Sequence, residues 1–220
     1  MHQYWYLHGF ASAPGSSKAQ FFKRQLSAFG IELSIPDLNT PSFKEMTVST
    51  QVALVESLIS KKRSVLIGSS MGGLVATLVA ARREDIDALI LMAPGFGIEK
   101  RWESLLDENQ KKDWLKKGAA EFFHYGNNRN ELLGFTFARD LENRDTENLR
   151  LRSGLPTLVF HGKEDDVVPI HVSRKFAAEN PSTSLHELDD DHSLLSSLDT
   201  IWSATEDFLD CHKCIAHRNR

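Results

Sequence analysis

Two adjacent serines, Ser69 and Ser70, lie in a glycine-rich turn at positions 68–72, where the sequence reads GSSMG. The pattern Gly-x-Ser-x-Gly fits this pentapeptide only when Ser70 is its central residue. A nucleophile at a sharp turn from a strand into a helix has a strained backbone, and glycines two positions away remove collisions. The turn raises the hydroxyl beside a helix N-terminus, which stabilises negative charge. The spacing therefore predicts that Ser70 is a nucleophile; a glycine-rich turn with a structural serine is the alternative.

A serine nucleophile needs a general base and an acid that orients the base. One predicted strand ends in HG and is followed by KEDD, which places both Asp165 and Asp166 beyond its end. We favour Asp165, because Asp166 is expected to point along the turn. His192 follows the last predicted strand, whereas the other eight histidines are terminal, in or next to a strand, in an insertion, or at a helix start. The chain order Ser70, Asp165, His192 is the order expected for this kind of fold, and it predicts a catalytic triad.

The first predicted strand ends in His8-Gly9-Phe10, at the same edge of a parallel sheet as the serine turn. A backbone N–H at this point can pair with the N–H that follows the nucleophile and hold an oxyanion. We therefore expect the N–H groups of Phe10 and Met71 to form the oxyanion hole. Gly9 would let the backbone approach the serine closely, and the Phe10 ring would help to shape the pocket.

Short apolar runs alternate with amphipathic patterns along the chain, and these elements would position the candidate residues. Continuous apolar runs between helices are typical of a parallel sheet covered on both faces. The predicted strands lie near residues 4–8, 33–35, 64–68, 88–94, 156–162 and 183–188. The predicted helices span 17–29, 48–59, 72–83 and 194–209, and a further one begins at His171. The sequence thus predicts one α/β domain over residues 1–220: a three-layer α/β/α sandwich with a mainly parallel sheet of about six strands.

The segment from about 96 to 152 interrupts this alternation, because it contains no buried-strand pattern of the central kind. The charged stretch Glu99–Lys117 predicts a helix, and two apolar runs that flank the polar sequence NNRN predict a hairpin. An insertion at the carboxyl edge of a parallel sheet commonly covers a ligand site, so we expect a lid. Its aromatic residues would either line an apolar acyl pocket or pack the lid onto the body: Trp102, Trp114, Phe122, Phe123, Tyr125, Phe135 and Phe137.

The composition is that of an ordinary globular chain, with 220 residues, 41% hydrophobic and 25% charged. A formal net charge of −4 disfavours nucleic acid and anionic membranes as partners. No apolar run reaches about 18 residues, so no membrane span is expected. The N-terminus has no features of a secretory signal, and two cysteines are too few for a disulfide framework. We therefore expect a cytoplasmic location.

Three basic residues near the first helix could attract a phosphate: Lys18, Lys23 and Arg24. A solvated helix face is the favoured interpretation, because charged residues at helical spacing usually lie in water.

The C-terminal tail contains Cys211, His212 and Cys214, with His217 three residues further on. Such a group resembles half of a metal site, but no second pair of ligands lies at a matched spacing. A frayed basic tail is the favoured interpretation. We therefore expect neither a metal nor another cofactor.

The chain resembles the α/β-hydrolase superfamily over essentially its whole length, and four motifs carry this resemblance. They are LHGF at 7–10, GSSMGG at 68–73, HGKEDDVVP at 161–169 and DDDHS at 189–193. The opening LHGFASAPGSSKA and the sequences EFFHYGNNRN and ELLGF are similar, more narrowly, to those of small bacterial YqiA-like serine esterases. In this resemblance the acid of the third motif falls on Asp165, and the sheet is shortened at its N-terminus.

The resemblance implies a cofactor-free serine hydrolase that acts through an acyl-enzyme. From the aromatic residues of the insertion we predict that the substrate is a carboxylic ester with a short or medium acyl chain. A thioesterase, for example one acting on acyl-CoA, is the main alternative. A non-catalytic binding protein on the same fold is disfavoured, because all three triad residues are present. The expected partner is therefore a small-molecule ester or thioester.

Overall fold

The computed structural model describes residues 2–60 and 62–215. Within these residues the chain forms eight strands and seven α-helices. The strands are β1 (Gln3–Leu7), β2 (Leu33–Ser34), β3 (Ser64–Ser69), β4 (Ile86–Met92), β5 (Ala119–His124), β6 (Arg129–Gly134), β7 (Thr157–Gly162) and β8 (Thr183–Leu188). The helices are α1 (Ser17–Ala28), α2 (Val48–Leu58), α3 (Met71–Ala80), α4 (Glu108–Lys117), α5 (Thr136–Glu142), α6 (His171–Glu179) and α7 (Leu198–Cys211).

Six strands form one sheet in the order β2-β1-β3-β4-β7-β8, and every neighbouring pair is parallel. Every residue of β3 and β7 is buried, which accounts for the continuous apolar runs in their sequences. Helices α1 and α7 contribute to the core on one face of the sheet, and α2, α3 and α6 contribute to the core on the other. The predicted three-layer α/β/α sandwich is confirmed.

The side chains of β3 alternate between the two cores. Val65 and Ile67 belong to the same core as Phe22 of α1 and Trp202 of α7. Leu66 belongs to the opposite core, with residues of α2 and α3. Full burial of one such aliphatic side chain stabilises the fold by roughly 1.5–3 kcal/mol. The serine turn therefore follows a strand that is firmly held from both faces.

The segment between β4 and β7 contains a separate two-stranded antiparallel sheet formed by β5 and β6. The single helix predicted over Glu99–Lys117 is wrong in its first half. There the chain makes two short 3-10 turns, Ile98–Lys100 and Trp102–Leu105, and then becomes extended at Leu106. Helix α4 begins after Asp107, whose side chain accepts the N–H groups of Asn109 and Gln110.

The sequence does not predict helix α5, because the predicted hairpin runs through residues 135–137. The strand ends at Gly134, where a Cβ atom would lie 2.6 Å from the Lys44 carbonyl oxygen. The buried side chains of Phe137, Ala138 and Leu141 then follow at helical spacing. Among the helices of residues 2–60 and 62–215, none is long and apolar enough to cross a membrane.

Candidate active site

Ser70 lies directly between β3 and α3 in a backbone conformation that is rare for a residue with a side chain. Its φ is 53° and its ψ is −119°. Hydrogen bonds hold both sides of this residue: its N–H donates to the Met92 carbonyl, and its carbonyl accepts the N–H groups of Gly73 and Gly95, each at 2.9 Å. The surrounding structure therefore imposes the strained turn that the sequence predicts.

The flanking glycines leave no space for side chains. A Cβ atom on Gly68 would lie 2.5 Å from the Gly72 carbonyl oxygen, and one on Gly72 would lie 2.0 Å from the Leu7 carbonyl oxygen. Because these neighbours are backbone atoms, no side-chain rotation relieves the overlap. The first turn of α3 consequently packs directly against the end of β1, which brings Ser70 next to the His8-Gly9-Phe10 segment.

The three residues of the predicted triad lie within hydrogen-bonding distance of one another. His192 Nε2 lies 3.0 Å from Ser70 Oγ, and His192 Nδ1 lies 2.7 Å from Asp165 Oδ2. Because a carboxylate only accepts, His192 Nδ1 carries the proton and Nε2 is free to accept from the serine hydroxyl. The Asp165 carboxyl is fully buried, while Asp166 and Glu164 are exposed. This arrangement can remove a proton from Ser70.

Asp165 is held as a carboxylate by several donors. Burial by itself raises the pKa of Asp165, but hydrogen bonds from His161, His192 and the Val168 N–H outweigh it and lower the pKa well below the usual range. The N–H groups of Val167 and Val168 donate to Oδ1 at 3.0 and 2.7 Å. The acid therefore stays ionised and can stabilise a charged His192 ring.

His161 contributes to this site although the sequence analysis gave it no role. Its ring is fully buried, and its Nε2 lies 3.2 Å from Asp165 Oδ2 and 2.7 Å from the Val168 carbonyl oxygen. Its Nδ1 lies 2.7 Å from Ser173 Oγ on α6. The one sequence signal was its place just before Gly162 at the end of β7, from which the acid loop departs.

His192 lies on turns between β8 and α7, because α7 begins at Leu198 and not at the predicted residue 194. Lys18 of α1 supports this loop, since its Nζ donates to the Ser193 carbonyl at 2.6 Å. Burial lowers the pKa of Lys18 to about 8, and the charges of Asp191, Asp165 and Asp190 oppose that shift. The predicted solvated face is therefore wrong for Lys18, although Lys23 and Arg24 are exposed.

The loop after β1 lies against the nucleophile, as the oxyanion-hole prediction requires. A Cβ atom on Gly9 would lie 3.4 Å from Ser70 Cβ and 4.0 Å from Ser70 Oγ. Met71 is the first residue of α3, where backbone N–H groups have no partner within the helix. Within the described part of the chain, neither the Phe10 nor the Met71 N–H donates to a protein acceptor. Both groups are thus available to a ligand oxygen.

The Phe10 ring connects this loop to the segment predicted as a lid. It lies 5.4–5.6 Å, between ring centroids, from Phe43 and from three aromatic rings of the insertion, Trp102, Phe122 and Phe137. Trp102, Trp114 and Phe137 are buried, and Phe122 and Phe135 are partly buried. By contrast, Phe123 and Tyr125 are 46% and 75% exposed. Trp102, Phe122 and Phe137 therefore pack the insertion onto the body, whereas the ring contacts of Trp114 and Phe135 lie within the insertion.

A cavity of about 400 Å³ lies within the insertion, between α4 and α5. Trp102, Trp114 and Phe135 line it, and none of the triad residues does. It is therefore separate from the candidate catalytic groups.

The predicted frayed tail is wrong for Cys214 and Ile215, which pack against the body of the protein. Cys214 and Ile215 are each 7% exposed and belong to the core that α1 and α7 share. Both cysteines are free thiols, and the described residues contain no group of three or more His, Cys, Asp or Glu side chains that could hold a metal. His217 lies outside the described residues.

The fold and the position of the serine turn define the α/β-hydrolase fold class. The mouse α/β hydrolase domain-containing protein 10 superposes with a TM-score of 0.76 at 20% identity, over 94% of this chain and 89% of that chain. Est1E from Butyrivibrio proteoclasticus superposes with a TM-score of 0.75 at 20% identity, over 97% of this chain and 88% of that chain.

Within this class, the chain belongs to the uncharacterised protein family UPF0227, whose sequence model matches residues 3–209. It is also similar to a Mycoplasma pneumoniae protein named "Putative esterase/lipase 2". The two are 30% identical over an alignment 216 positions long, which covers 86% of this chain and 81% of that protein.

Proposed function

We propose that this protein is a serine hydrolase that cleaves carboxylic esters through an acyl-enzyme on Ser70. The observation that carries the proposal is the continuous hydrogen-bonded line from Ser70 Oγ through His192 to the buried carboxylate of Asp165. The strained turn at Ser70 and the free N–H groups beside it support the same chemistry. The name of the Mycoplasma relative, an esterase/lipase, agrees with this reaction class.

In the acylation half-reaction, the Ser70 hydroxyl attacks the ester carbonyl while His192 Nε2 takes its proton. The carbonyl oxygen becomes an oxyanion, which accepts hydrogen bonds from the Phe10 and Met71 N–H groups. His192 then donates the proton to the alkoxy oxygen as the C–O bond breaks, so the alcohol leaves neutral. Asp165 fixes the Nδ1–H tautomer and stabilises the transient imidazolium.

In the deacylation half-reaction, a water molecule takes the place of the alcohol. His192 removes a proton from this water as its oxygen attacks the acyl carbonyl. The second tetrahedral intermediate collapses with return of the proton to Ser70 Oγ, which releases the carboxylic acid. The cycle consumes one ester and one water, and no cofactor takes part in any step.

We further propose that the segment from about 96 to 152 serves as the lid and shapes the acyl site. Its aromatic rings contact Phe10, the residue that supplies one proposed oxyanion donor. Much of its aromatic surface is already committed to packing, which favours a short or medium acyl chain. A cytoplasmic location stays a prediction that depends on the sequence composition.

The test is steady-state hydrolysis of p-nitrophenyl esters of increasing chain length, with acyl-CoAs in parallel. Ser70→Ala should lower kcat by more than about 1,000-fold, as loss of a serine nucleophile does in other hydrolases. Ser69→Ala is the matched control: it removes the neighbouring, buried hydroxyl, and its kcat should stay within a few-fold. Unchanged turnover by Ser70→Ala would contradict the proposal, and a marked preference for acyl-CoAs would move the substrate class to thioesters.

A further inference from the structure

His8 is a buried histidine that the catalytic cycle above does not use. It immediately follows β1 and is 1% exposed. It is adjacent to Gly9, which lies against Ser70, and to the loop that supplies one proposed oxyanion donor. A buried imidazole destabilises the fold unless both ring nitrogens have hydrogen-bond partners, so these partners indicate which groups the ring holds in place.

Two backbone groups determine the protonation of this ring. His8 Nδ1 lies 3.0 Å from the Gly9 carbonyl oxygen, which can only accept, so Nδ1 carries a proton. His8 Nε2 lies 3.0 Å from the Leu38 N–H, which can only donate, so Nε2 is an acceptor. The Asp37 carboxylate lies 3.6 Å from Nε2, which is too long for a competing hydrogen bond. His8 is therefore neutral, with its proton on Nδ1.

The Gly9 carbonyl and the Phe10 N–H belong to the same peptide unit. This peptide is trans, so its C=O and N–H point in opposite directions. A donor that holds the carbonyl on one side therefore determines where the N–H points on the other side. The same hydrogen bond also polarises the amide and makes its N–H a stronger donor.

We infer that His8 is a positioning residue of the oxyanion hole: its Nδ1–H holds the Gly9 carbonyl, so that the Phe10 N–H faces the oxyanion. This inference rests on the proposed serine-hydrolase function. Other contacts confine the same loop, since Asn39 Nδ2 donates to the Ser12 carbonyl at 2.9 Å and the Gly126 N–H donates to the Ala11 carbonyl at 3.4 Å. Of these contacts, only that of His8 acts on the peptide unit that carries the Phe10 N–H.

Two substitutions separate the two hydrogen bonds of the ring. In His8→Asn the amide nitrogen takes the place of Nδ1 and can still donate to the Gly9 carbonyl, but nothing reaches the Leu38 N–H. In His8→Gln the longer side chain places its amide near the former Nε2, where it can accept from Leu38 but not reach Gly9. His8→Leu removes both contacts. Thermal unfolding of all three variants reports their stability separately.

Direct loss of one oxyanion donor costs about 100- to 1,000-fold in kcat, so its misorientation should cost roughly 10- to 100-fold. We expect this loss in His8→Gln and His8→Leu, with KM within about twofold, and a loss of less than about fivefold in His8→Asn. Affinity for a trifluoromethyl ketone, which forms an oxyanion on the serine, should fall in parallel with kcat/KM. A merely structural role would not link these two quantities.

The inference is overturned if His8→Gln is as active as His8→Asn or more so, or if the ketone affinity stays constant while kcat falls. Nitrogen-15 NMR of the wild-type ring provides a test that needs no variant, and an unprotonated Nδ1 would also overturn it. If the wild-type protein hydrolyses no ester and does not bind the ketone, the proposed function itself has failed. If the wild-type protein hydrolyses esters but the His8 variants do not show the expected order of activity, only the role of His8 is contradicted.

Discussion

The strained backbone at Ser70 predicts an unusual order of stability between two inactive variants. Ser70 has a φ of 53° and a ψ of −119°, a conformation that glycine adopts easily and alanine does not. Both Ser70→Gly and Ser70→Ala remove the hydroxyl and its hydrogen bond to His192. Their difference in stability therefore isolates the conformational cost of carrying a Cβ atom at this position.

A residue with a side chain in such a conformation destabilises the fold by roughly 1–3 kcal/mol. Glycine avoids this strain, but its greater freedom in the unfolded chain lowers stability by roughly 0.5–1 kcal/mol relative to alanine. The remainder leaves Ser70→Gly more stable than Ser70→Ala by about 1 kcal/mol. For a chain of this size, that corresponds to an increase in Tm of about 2–4 °C.

The assay is urea and thermal unfolding of both variants beside a matched pair at Ser69. Ser69 is the last residue of β3, is 4% exposed and has no positive φ. There the order should reverse, and Ser69→Gly should be less stable than Ser69→Ala by about 1–2 kcal/mol, because it loses a buried methyl and gains unfolded-state entropy. The reasoning is refuted if the Ser70 pair shows the same sign as the Ser69 pair.

Three further perturbations follow from the site. Asp165→Asn should lower kcat by about 1,000-fold or more with a small change in KM. Because folding lowers the pKa of Asp165, the wild-type protein should lose stability as the pH falls below about 4, and Asp165→Asn should lose less. Gly72→Ala should lower Tm strongly, since its Cβ would lie 2.0 Å from a backbone oxygen, whereas Gly15→Ala, with no atom within 4 Å, should not. Lys18→Met should lower kcat by about tenfold through displacement of the His192 loop. Because burial lowers the pKa of Lys18 to about 8, urea unfolding should show wild-type stability rising relative to Lys18→Met between pH 8 and 10.

The sequence carries enough information to predict the sheet and its central turn. Strands such as β3 and β7 are buried on both faces, so they appear as uninterrupted apolar runs that no surface element shows. The turn at Ser70 is equally recognisable in the sequence, because a Cβ atom at the flanking positions would overlap backbone atoms and glycine therefore occupies them. Because the strands are parallel, the carboxyl ends of β3, β7 and β8 lie at the same edge of the sheet. Ser70, Asp165 and His192 follow these ends and therefore lie at that edge.

Contacts between distant segments are what the sequence does not reveal. Lys18 and the exposed Lys23 are both lysines of α1. They differ because the N-terminal part of α1 packs beside the loop after β8, which covers Lys18. The two hydrogen bonds of the His8 ring depend on Gly9 and Leu38, which lie far apart in the sequence but contact the same ring. Helix α5 was missed because its apolar spacing begins inside a run that also suits a strand.

The central claim is that Ser70 is the nucleophile, and covalent labelling tests it most directly. The wild-type protein should be incubated with a fluorophosphonate and its mass measured intact and after digestion. We expect one adduct per chain on the peptide that contains Ser70, retained in Ser69→Ala and abolished in Ser70→Ala. An adduct that persists in folded Ser70→Ala, or a wild-type protein that hydrolyses esters without any adduct at Ser70, would contradict the claim.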